Sequence, residues 1–411
     1  MVISMKKTLF VWKTPMAAPK RKTKKRTLKK TALRRKKQPA RKRLTLSISK
    51  KTAKKPAKKK RSEGRKKKTG VRHRRPAPSS LIRSESNPII KPSPHVSWES
   101  KATFNPSAIY AGGKVHLVYR AIGDNDVSVF GYATSVNGLT IDTQSKFPAY
   151  VQGFSAPSRL ASAPMVYGSG GGWNGGSEDP RLTLIDGIVF MIYTSFDGWG
   201  SVRIALTSIS FDDFVRERWN WKKPVFISPP GEIHKNWVLF PEKIKGKYAI
   251  LHGISPDILI DYVDDVDSFD GTKFIQSKHP TGGGYKRSWD NSLRGVGPAP
   301  IKTKYGWLVL YHAMDINDPN RYKLGAMLLD LNEPTKVLVR SRYPILEPDE
   351  WYENVGFKSG VVYACGAVVV DGWLFVYYGG ADKVVCVATA ELEPFLKTLI
   401  TSGFTKLTRK K

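Results

Sequence analysis

The sequence has few residues that bind metals or form disulfides, and it has no long apolar segment. Its 411 residues include two cysteines and seven scattered histidines. A zinc site usually needs about four such ligands at a recognisable spacing, so the sequence predicts no metal site. No run approaches the roughly 20 apolar residues of a transmembrane helix. The apolar stretch from Leu9 to Trp12 is also shorter than the roughly 7 to 15 residues that a signal peptide needs. We therefore expect an intracellular, cytoplasmic protein.

The two cysteines, Cys365 and Cys386, are close enough in sequence to lie on adjacent strands. Because no export signal is found, two buried thiols are expected rather than a disulfide.

Acidic residues are almost absent from residues 1–80. This segment holds 33 Lys and Arg against a single acid, Glu63, whereas residues 81–411 hold 36 basic and 33 acidic residues. Nearly all of the formal net charge of +35 therefore belongs to one end of the chain. With few large apolar residues, the segment cannot bury enough surface to offset chain entropy, and a disordered basic N-terminal tail is predicted. The tail could bind nucleic acid or another polyanion without reading sequence, direct the protein to a polyanion-rich compartment, or act only as a solubilising extension.

Residues 81–411 contain one pattern five times, and we number the repeats 1 to 5 in chain order. Each repeat has a Pro or Gly, a turn, and an apolar strand that ends in an aromatic residue or His. The strand ends are Val118-Tyr119-Arg120, Ile192-Tyr193-Thr194, Leu251-His252-Gly253, Leu310-Tyr311-His312 and Tyr377-Tyr378-Gly379. Pro106, Pro180, Pro241, Pro300 and Gly366 precede them by 12 to 14 residues. A second β-rich run follows each strand, at 128–134, 202–208, 257–263, 323–330 and 383–390.

These runs are short, rich in β-branched and aromatic residues, and bounded by Gly, Asn, Asp and Pro, which predicts strands. The recurrence every 59 to 74 residues favours a modular all-β fold. Five radial sheets of about four strands would form a five-bladed β-propeller covering residues 81–411. A β-sandwich with long insertions is the alternative, but it gives no reason for such an interval.

In a propeller, equivalent residues of successive repeats converge at one mouth of the central channel. The pattern places Asn105, Asp179, Phe240, Ala299 and Cys365 near the starts of the inner strands, and Arg120, Thr194, Gly253, His312 and Gly379 near their ends. Lys235 precedes the third inner strand. Three basic groups, Lys235, Arg120 and His312, would then face the same mouth as Asp179, which predicts an anion site.

Asp179 follows the glycine-rich run 168–176 and lies in the segment Glu178-Asp179-Pro180-Arg181. Such a loop can bend closely around a polar ligand, and the proline fixes the direction of the chain. An ordinary Asp-Pro turn, with Arg181 as the ion-pair partner of Asp179, is the alternative.

Further carboxylates, Glu242 and Glu353, lie beside aromatic or Pro-containing segments and could act with a second carboxylate in glycosidic cleavage. Four tryptophans near these loops could stack on sugar rings or pack between sheets: Trp173, Trp237, Trp289 and Trp351.

Several segments carry a resemblance to a known family. In chain order they are Asn87-Pro88-Ile89-Ile90, Phe104-Asn105-Pro106-Ser107-Ala108, Val115-His116-Leu117-Val118-Tyr119-Arg120, Glu178-Asp179-Pro180-Arg181, Leu239-Phe240-Pro241-Glu242-Lys243, Gly306-Trp307-Leu308-Val309-Leu310-Tyr311-His312, Tyr352-Glu353 and Tyr377-Tyr378-Gly379-Gly380-Ala381-Asp382. Through them, residues 87–395 resemble the β-mannoside phosphorylases and hydrolases of glycoside hydrolase family 130.

The resemblance implies a five-bladed propeller enzyme that cleaves β-mannosidic bonds with inversion. Asp179 would be the general acid and would act through a sugar hydroxyl, and the mannoside would contact Asn105, Arg120 and Asp382. No cofactor is implied, and inorganic phosphate is the co-substrate of the phosphorylases.

For the phosphate, the resemblance implies contacts with Lys235 and His312. Gly253 stands where the phosphorylases commonly carry Arg. Leu293 stands where they carry Lys, and the adjacent Arg294 could substitute for that lysine.

Three functions remain open from the sequence. The first is phosphorolysis of a β-mannoside oligosaccharide to mannose 1-phosphate. The second is hydrolysis, with water activated by a glutamate such as Glu232 or Glu242. The third is a non-catalytic glycan-binding propeller tethered to a polyanion by its basic tail.

Overall fold

The computed structural model describes residues 80–153, 173–277 and 288–404. The predicted disordered tail lies outside the described residues except for Ser80, and so do residues 168–172 of the glycine-rich run. The boundary predicted between residues 80 and 81 stays a prediction.

The described chain is all-β, as predicted, with twenty strands and two α-helices. The first nine strands are β1 (Ile82–Arg83), β2 (Ala102–Ala111), β3 (Lys114–Ile122), β4 (Ser128–Ser135), β5 (Thr143–Gln144), β6 (Gly176–Ile185), β7 (Ile188–Phe196), β8 (Val202–Ser210) and β9 (Val225–Phe226). The others are β10 (Val238–Leu239), β11 (Tyr248–Gly253), β12 (Leu259–Val263), β13 (Ser292–Val296), β14 (Ile301–Thr303), β15 (Gly306–Asp315), β16 (Asp318–Leu329), β17 (Val337–Arg340), β18 (Val362–Val370), β19 (Trp373–Gly380) and β20 (Val384–Glu391). The helices are α1 (Phe211–Val215) and α2 (Leu392–Ser402), and 3-10 turns occur at Val266–Ser268 and Trp351–Glu353.

The strands of the described residues form four sheets. Repeats 1 and 2 share one sheet, and repeats 3, 4 and 5 each contribute one of the other three. Strands β2 to β5 belong to repeat 1 and β6 to β9 to repeat 2, and the two groups share one sheet through a single parallel pair, Ser128 with Gly176. Repeat 3 contributes β10 to β12, repeat 4 contributes β13 to β17, and repeat 5 contributes β18 to β20. The predicted strand ends lie in β3, β7, β11, β15 and β19, and the predicted second runs lie in or overlap the strands that follow. The predicted strands are therefore confirmed, and in each repeat the two form an antiparallel hairpin.

Hydrophobic clusters lie between the repeats because the central strands are apolar on both faces. In β7, Met191 and Tyr193 pack with repeat 1, whereas Phe190 and Ile192 pack with repeat 3. This alternation follows from the two-residue period of a strand. Five clusters join repeats 1 and 2, 2 and 3, 3 and 4, 4 and 5, and 5 and 1. Each repeat is therefore packed between two others.

Buried tyrosines at the strand ends are anchored by carboxylates from other segments. The pairs are Tyr119 with Glu99, Tyr311 with Asp290, and Tyr378 with Glu353, each joined by a 2.8 Å hydrogen bond from the phenol. Glu353 also accepts bonds from Arg83 Nε at 2.7 Å and Nη2 at 2.8 Å. Since Arg83 belongs to β1, which pairs with β20, Glu353 fastens the first described strand to the last repeat. Both Glu353 oxygens are thus engaged in structural contacts rather than free for catalysis.

The inner strands are arranged differently from the sequence-based interpretation. Asn105 and Arg120 do not lie at opposite ends of one strand, because they belong to the adjacent antiparallel strands β2 and β3. Pro106 and Pro180 lie in β-bulges of β2 and β6, where a residue without an N–H group is tolerated. In repeats 1 and 2, the residues predicted at the start and at the end of one strand therefore meet at one edge of the sheet.

The cysteine prediction is confirmed in one respect and wrong in another. Cys365 and Cys386 are buried free thiols, as expected. They are not on adjacent strands, because β19 lies between β18 and β20. No helix among the described residues is long and apolar enough to cross a bilayer. The intracellular location stays a prediction.

Candidate active site

Asp179 lies in the bulge of β6 in a left-handed conformation, with a φ of 54°. A positive φ recurs at Asn105 (φ 47°), Asn236 (φ 65°) and Gly295 (φ 134°). In each repeat, the first residue of the strand end, such as Val118 in Val118-Tyr119-Arg120, pairs with a residue in or directly after the neighbouring strand. Each of these four positive-φ residues precedes that paired residue by two positions. The structural equivalents of Asp179 in repeats 3 and 4 are therefore Asn236 and Gly295, and the prediction of Phe240 and Ala299 is wrong.

The Asp179 carboxylate is bound by groups from repeat 1. Asn105 Nδ2 donates to Asp179 Oδ1 at 2.8 Å, and Arg120 Nη1 lies 3.5 Å from the same oxygen. Arg120 Nη2 also donates to Glu178 Oε1 at 2.9 Å, and Lys235 Nζ lies 3.8 Å from Glu178 Oε2. Asn105, Arg120, Glu178 and Asp179 are buried, and the Lys235 side chain is 22% exposed. The structure thus brings together four of the predicted residues from three repeats.

The charge of Asp179 is set by these neighbours. Burial alone would raise the pKa of its carboxyl, but the charges of Lys235, Arg120 and Arg181, with the Asn105 hydrogen bond, lower the pKa to about 2. Without a ligand the carboxyl is therefore ionised at neutral pH.

Asp382 belongs to the same electrostatic environment. It is buried in the left-handed conformation, with a φ of 50°. Burial raises its pKa to about 6, against the lowering effects of Lys358, Arg120 and Lys235, while Asp179 raises the pKa further. The pKa of Asp179 is therefore lowered and that of Asp382 is raised, although Arg120 and Lys235 act on both carboxyl groups.

His312 is neutral rather than cationic, which corrects its assignment to a basic position. Its side chain is fully buried and stacks on the Tyr363 ring at 4.0 Å and 4°. The backbone N–H of Ala364 donates to His312 Nε2 at 2.9 Å. Burial first, and then the charge of Arg181, lowers the pKa to about 3. The proton of the neutral ring therefore lies on Nδ1, a buried atom without a hydrogen-bond partner among the described residues.

Arg294 and Lys235 line one pocket, together with Gly253 and Leu293. Arg294 is exposed and lies in the bulge of β13, and its Nε donates to Tyr322 Oη at 2.8 Å. His312 is not among the residues that line this pocket. Lys235 thus connects the pocket with the carboxylates around Asp179.

Sequence reasoning missed several residues of this region: Glu178, Asn236, Lys358 and Tyr363. Glu178 stands beside Asp179, and alignment of the repeats on the bulges instead of the prolines would have found Asn236. Arg181 was considered as the ion-pair partner of the Asp179 carboxylate, but its Nη1 donates to the Asp179 carbonyl at 2.7 Å.

The other candidate carboxylates are paired with residues outside the group around Asp179. Glu242 forms an ion pair with Lys302 near the surface, and Glu232 pairs with His234 at 2.9 Å with 56% of its side chain exposed. Among the described residues, no cluster of three or more His, Cys, Asp or Glu could hold a metal ion.

The four tryptophans divide into two classes. Trp237 is buried against His234 and His252, and Trp289 stacks on Tyr311. Trp173 and Trp351 are 45% and 63% exposed. The first two therefore pack within the protein, and the second two are accessible.

The chain is similar to several known proteins. A family model described as beta-1,4-mannooligosaccharide phosphorylase matches residues 80–400. The chain is 39% identical over 323 residues to 1,2-beta-oligomannan phosphorylase of Thermoanaerobacter sp. (strain X514), which covers 76% of this chain and 98% of the relative. It is 36% identical over 328 residues to Beta-1,2-mannobiose phosphorylase of the same organism, with the same coverage.

A solved structure is similar as well. The complex of Beta-1,2-Mannobiose phosphorylase from Listeria innocua with beta-1,2-mannobiose superposes with a TM-score of 0.59 and 26% identity, covering 78% of this chain and 99% of that chain. The motifs, the family model and these relatives agree, and the chain belongs to glycoside hydrolase family 130.

Proposed function

We propose that this protein cleaves β-1,2-mannosidic bonds by phosphorolysis and releases α-mannose 1-phosphate. The observation that carries the proposal is the buried Asp179 carboxylate, held by Asn105 and Arg120 beside Lys235. An acid next to an anion site is what the reaction requires. The two Thermoanaerobacter relatives, aligned over 98% of their length, are named for β-1,2-linked substrates, which favours this linkage.

In the proposed reaction, a phosphate oxygen attacks the anomeric carbon while the bond to the leaving sugar breaks. Once bound phosphate offsets the cations that keep it ionised, Asp179 takes up a proton from solvent and supplies it to the leaving oxygen, relayed through a sugar hydroxyl as the family resemblance implies. Attack from the face opposite the leaving group inverts the β configuration and gives the α phosphate. Asn105, Arg120 and Asp382 contact the mannose that is transferred.

Lys235 and Arg294 hold the phosphate through charge-assisted hydrogen bonds. Their presence in one pocket supports this assignment. His312 does not line that pocket, and in the proposed complex it would approach the phosphate from the side and contribute a neutral Nδ1–H donor instead of a positive charge, since its Nε2 accepts from Ala364. Because Gly253 and Leu293 add no charge to the pocket, we expect weaker phosphate binding than in an enzyme with Arg and Lys there.

Phosphorolysis is favoured over hydrolysis by the placement of the candidate bases. A hydrolase needs a carboxylate that activates water beside the anomeric carbon. Glu242 is paired with Lys302, and Glu232 is largely exposed and paired with His234. Neither is bound to the group of residues around Asp179.

Product analysis by anion-exchange chromatography tests the proposal. The native protein and Asp179→Asn are incubated with β-1,2- and β-1,4-mannobiose, with and without phosphate. We expect phosphate-dependent mannose 1-phosphate from the β-1,2 substrate only, and almost none from the variant. Free mannose without phosphate would indicate hydrolysis, and sugar binding without any product would indicate the non-catalytic alternative.

We further propose that the five repeats close into a five-bladed β-propeller. The hydrophobic clusters between successive repeats, and between repeats 5 and 1, support a ring. The pairing of β1 with β20 supports closure of the last blade by the first described strand. A crystal structure with repeats 1 and 5 apart would refute it.

For residues 1–80 we propose non-specific binding to a polyanion, with nucleic acid as the test ligand. The presence of 33 basic residues against one acid supports it. Counterion release predicts that affinity falls steeply between about 50 and 200 mM salt. Deletion of residues 1–80 should abolish binding to duplex DNA in a filter assay and leave phosphorolysis unchanged. Equal binding by the truncated protein would contradict the proposal.

A further inference from the structure

The guanidinium of Arg181 is a buried charge at the contact of several repeats. Arg181 is 2% exposed and forms no ion pair with a carboxylate of the described residues. Its Nη1 donates to the carbonyl of Asp179 at 2.7 Å, its Nε to the carbonyl of Gly297 at 3.0 Å, and its Nη2 to Asn236 Oδ1 at 2.9 Å. Removing a cation from water costs several kcal/mol, and these bonds must offset that cost.

Two of its partners are residues with strained backbones. Asp179 and Asn236 have φ values of 54° and 65°. For residues other than glycine, such a conformation costs about 1 to 3 kcal/mol and persists only where the surroundings hold it. Arg181 binds the backbone of Asp179 and the side chain of Asn236, and it therefore fixes the bulge from which the Asp179 carboxylate extends.

The same network reaches His312. Tyr363 Oη donates to Asn236 Oδ1 and lies 3.4 Å from Arg181 Nη2. The Tyr363 ring stacks on His312, and the N–H of the next residue, Ala364, binds His312 Nε2. A continuous path of contacts thus leads from Asp179 through Arg181, Asn236 and Tyr363 to His312.

The charge of Arg181 also acts on His312. The charged groups that face this imidazole are Arg181 and Asp179, both from β6, and the titratable group packed on it is Tyr363 of β18. Burial is the larger cause of the lowered His312 pKa, and Arg181 lowers the pKa further. The cation therefore helps to keep the ring neutral, with its proton on Nδ1.

We propose that Arg181 is a positioning residue that holds the acid Asp179 and the phosphate-side His312 in one rigid arrangement without touching either substrate. The inference rests on the proposed function, in which Asp179 donates the proton and His312 contacts phosphate. In this proposal, the buried guanidinium of Arg181 couples the position of Asp179 to that of His312.

The test compares Arg181→Lys, which keeps the charge but not the planar fork, with Arg181→Gln, which removes the charge. In both variants we expect kcat for phosphorolysis of β-1,2-mannobiose to fall by about 10²-fold, because misplacement of reacting groups costs about that much. The KM for mannobiose should change by less than about threefold, because no mannose contact is removed.

A second readout does not depend on turnover. In protein labelled with ¹⁵N-histidine, the His312 signal is assigned by its loss in His312→Asn. Arg181→Gln should raise the His312 pKa, and Arg181→Lys should leave it near the wild-type value. Arg340→Lys is the matched control, because Arg340 is also buried but pairs with Asp290. This control should lower stability without changing kcat per folded molecule or the His312 titration.

Turnover of Arg181→Lys within twofold of wild type would overturn the proposal, and so would an unchanged His312 pKa in Arg181→Gln. If the wild type forms no mannose 1-phosphate, the proposed function fails. The histidine titration still decides whether Arg181 lowers the pKa of His312. If the Arg181 variants do not fold, Tyr363→Phe removes the hydroxyl contacts of the network and keeps the stacked ring. That variant should lose about tenfold in kcat if contacts are transmitted through Tyr363, and wild-type turnover would overturn the proposal.

Discussion

Asn105 Nδ2 donates a 2.8 Å hydrogen bond to Asp179 Oδ1 across 74 residues of sequence. Both residues have the left-handed conformation at the bulge of their repeat. Because the bulge recurs, packing of repeat 1 on repeat 2 places an amide beside a carboxylate. Gly379 of repeat 5 lies directly against Asn105, so three repeats meet at this bond. The fold itself thus builds the candidate site from equivalent positions.

Replacement of Asp179 by Asn should reduce kcat for β-1,2-mannobiose phosphorolysis by about 10³-fold, which is within the range for loss of a general acid. A dinitrophenyl β-mannoside needs no proton on its leaving group, and the variant should cleave it with a much smaller loss. The two substrates are compared by steady-state kinetics at saturating phosphate. Equal losses on both would show that Asp179 is not the proton donor.

Gly379→Ala should displace Asn105. An added Cβ would lie 2.1 Å from Asn105 Oδ1 and 2.8 Å from its backbone N, distances that no real contact allows. We expect a loss of about 1 to 3 kcal/mol in unfolding free energy and of about 10²-fold in kcat. Urea unfolding and kinetics measure both. Gly153→Ala is the control, because its Cβ would meet no atom within 4 Å. A fully active Gly379→Ala enzyme would contradict a need for the Asn105 contact.

Glu353→Gln should destabilise the protein by about 3 kcal/mol, because it removes the charge paired with the partly buried Arg83. The kcat of the folded enzyme should stay within about twofold, since Glu353 contacts none of the proposed catalytic groups. Glu242→Gln removes a surface pair with Lys302 and should cost less than about 1 kcal/mol. Chemical unfolding compares the two. Equal effects would refute the anchoring role of Glu353.

Asp382→Asn should alter the pH dependence of stability. The folded-state pKa of Asp382 is raised to about 6, above the unfolded value of about 3.9, so folding favours its protonated form. The protonated Asp382 therefore stabilises the folded state below pH 4, and this contribution is lost as pH rises to about 6. For a shift of two pKa units the contribution to the unfolding free energy is about 3 kcal/mol. The unfolding free energy of the variant, relative to wild type, should therefore rise by that amount between pH 4 and 7. Parallel curves for the two proteins would contradict the prediction.

Phosphate binding should be accompanied by proton uptake at pH 7. The pKa of Asp179 is about 2 because cations outweigh its burial, and a phosphate dianion beside Lys235 would offset those cations. The pKa of the carboxyl should then rise, and each site should gain a fraction of a proton by linkage. Calorimetric titration in buffers of different ionisation enthalpy measures the uptake, with Asp179→Asn as the reference. The same uptake in both proteins would exclude Asp179 as its source.

Much of the fold was predictable from the sequence because it depends on local patterns. Runs such as Gly306 to His312 are too short and too rich in β-branched and aromatic residues for helices, and their regular spacing gave the repeats. The bulges were not predictable from the prolines alone, because Pro106 and Pro180 mark bulges whereas Pro241 and Pro300 do not. Alignment on the prolines therefore gave Phe240 and Ala299 in place of Asn236 and Gly295.

The candidate site was predictable only in part. Asp179 and Arg120 lie in recognisable motifs, but the neutral state of His312 depends on burial and on the N–H of Ala364, 52 residues away. Arg181 finds Asn236 and Tyr363 at separations of 55 and 182 residues. Such contacts leave no local pattern.

The sequence by itself determined the all-β class, the five repeats, the concentration of positive charge in residues 1–80 and the identity of the acid candidate Asp179. The first three follow from composition and from periods that each segment carries within itself, and the fourth is implied by the resemblance of its motif to the family. Only the tertiary structure decided which residues surround Asp179, that its carboxyl is ionised without a ligand, and that His312 is neutral. Those properties depend on distance and burial, and both arise only when strands far apart in the chain are packed together.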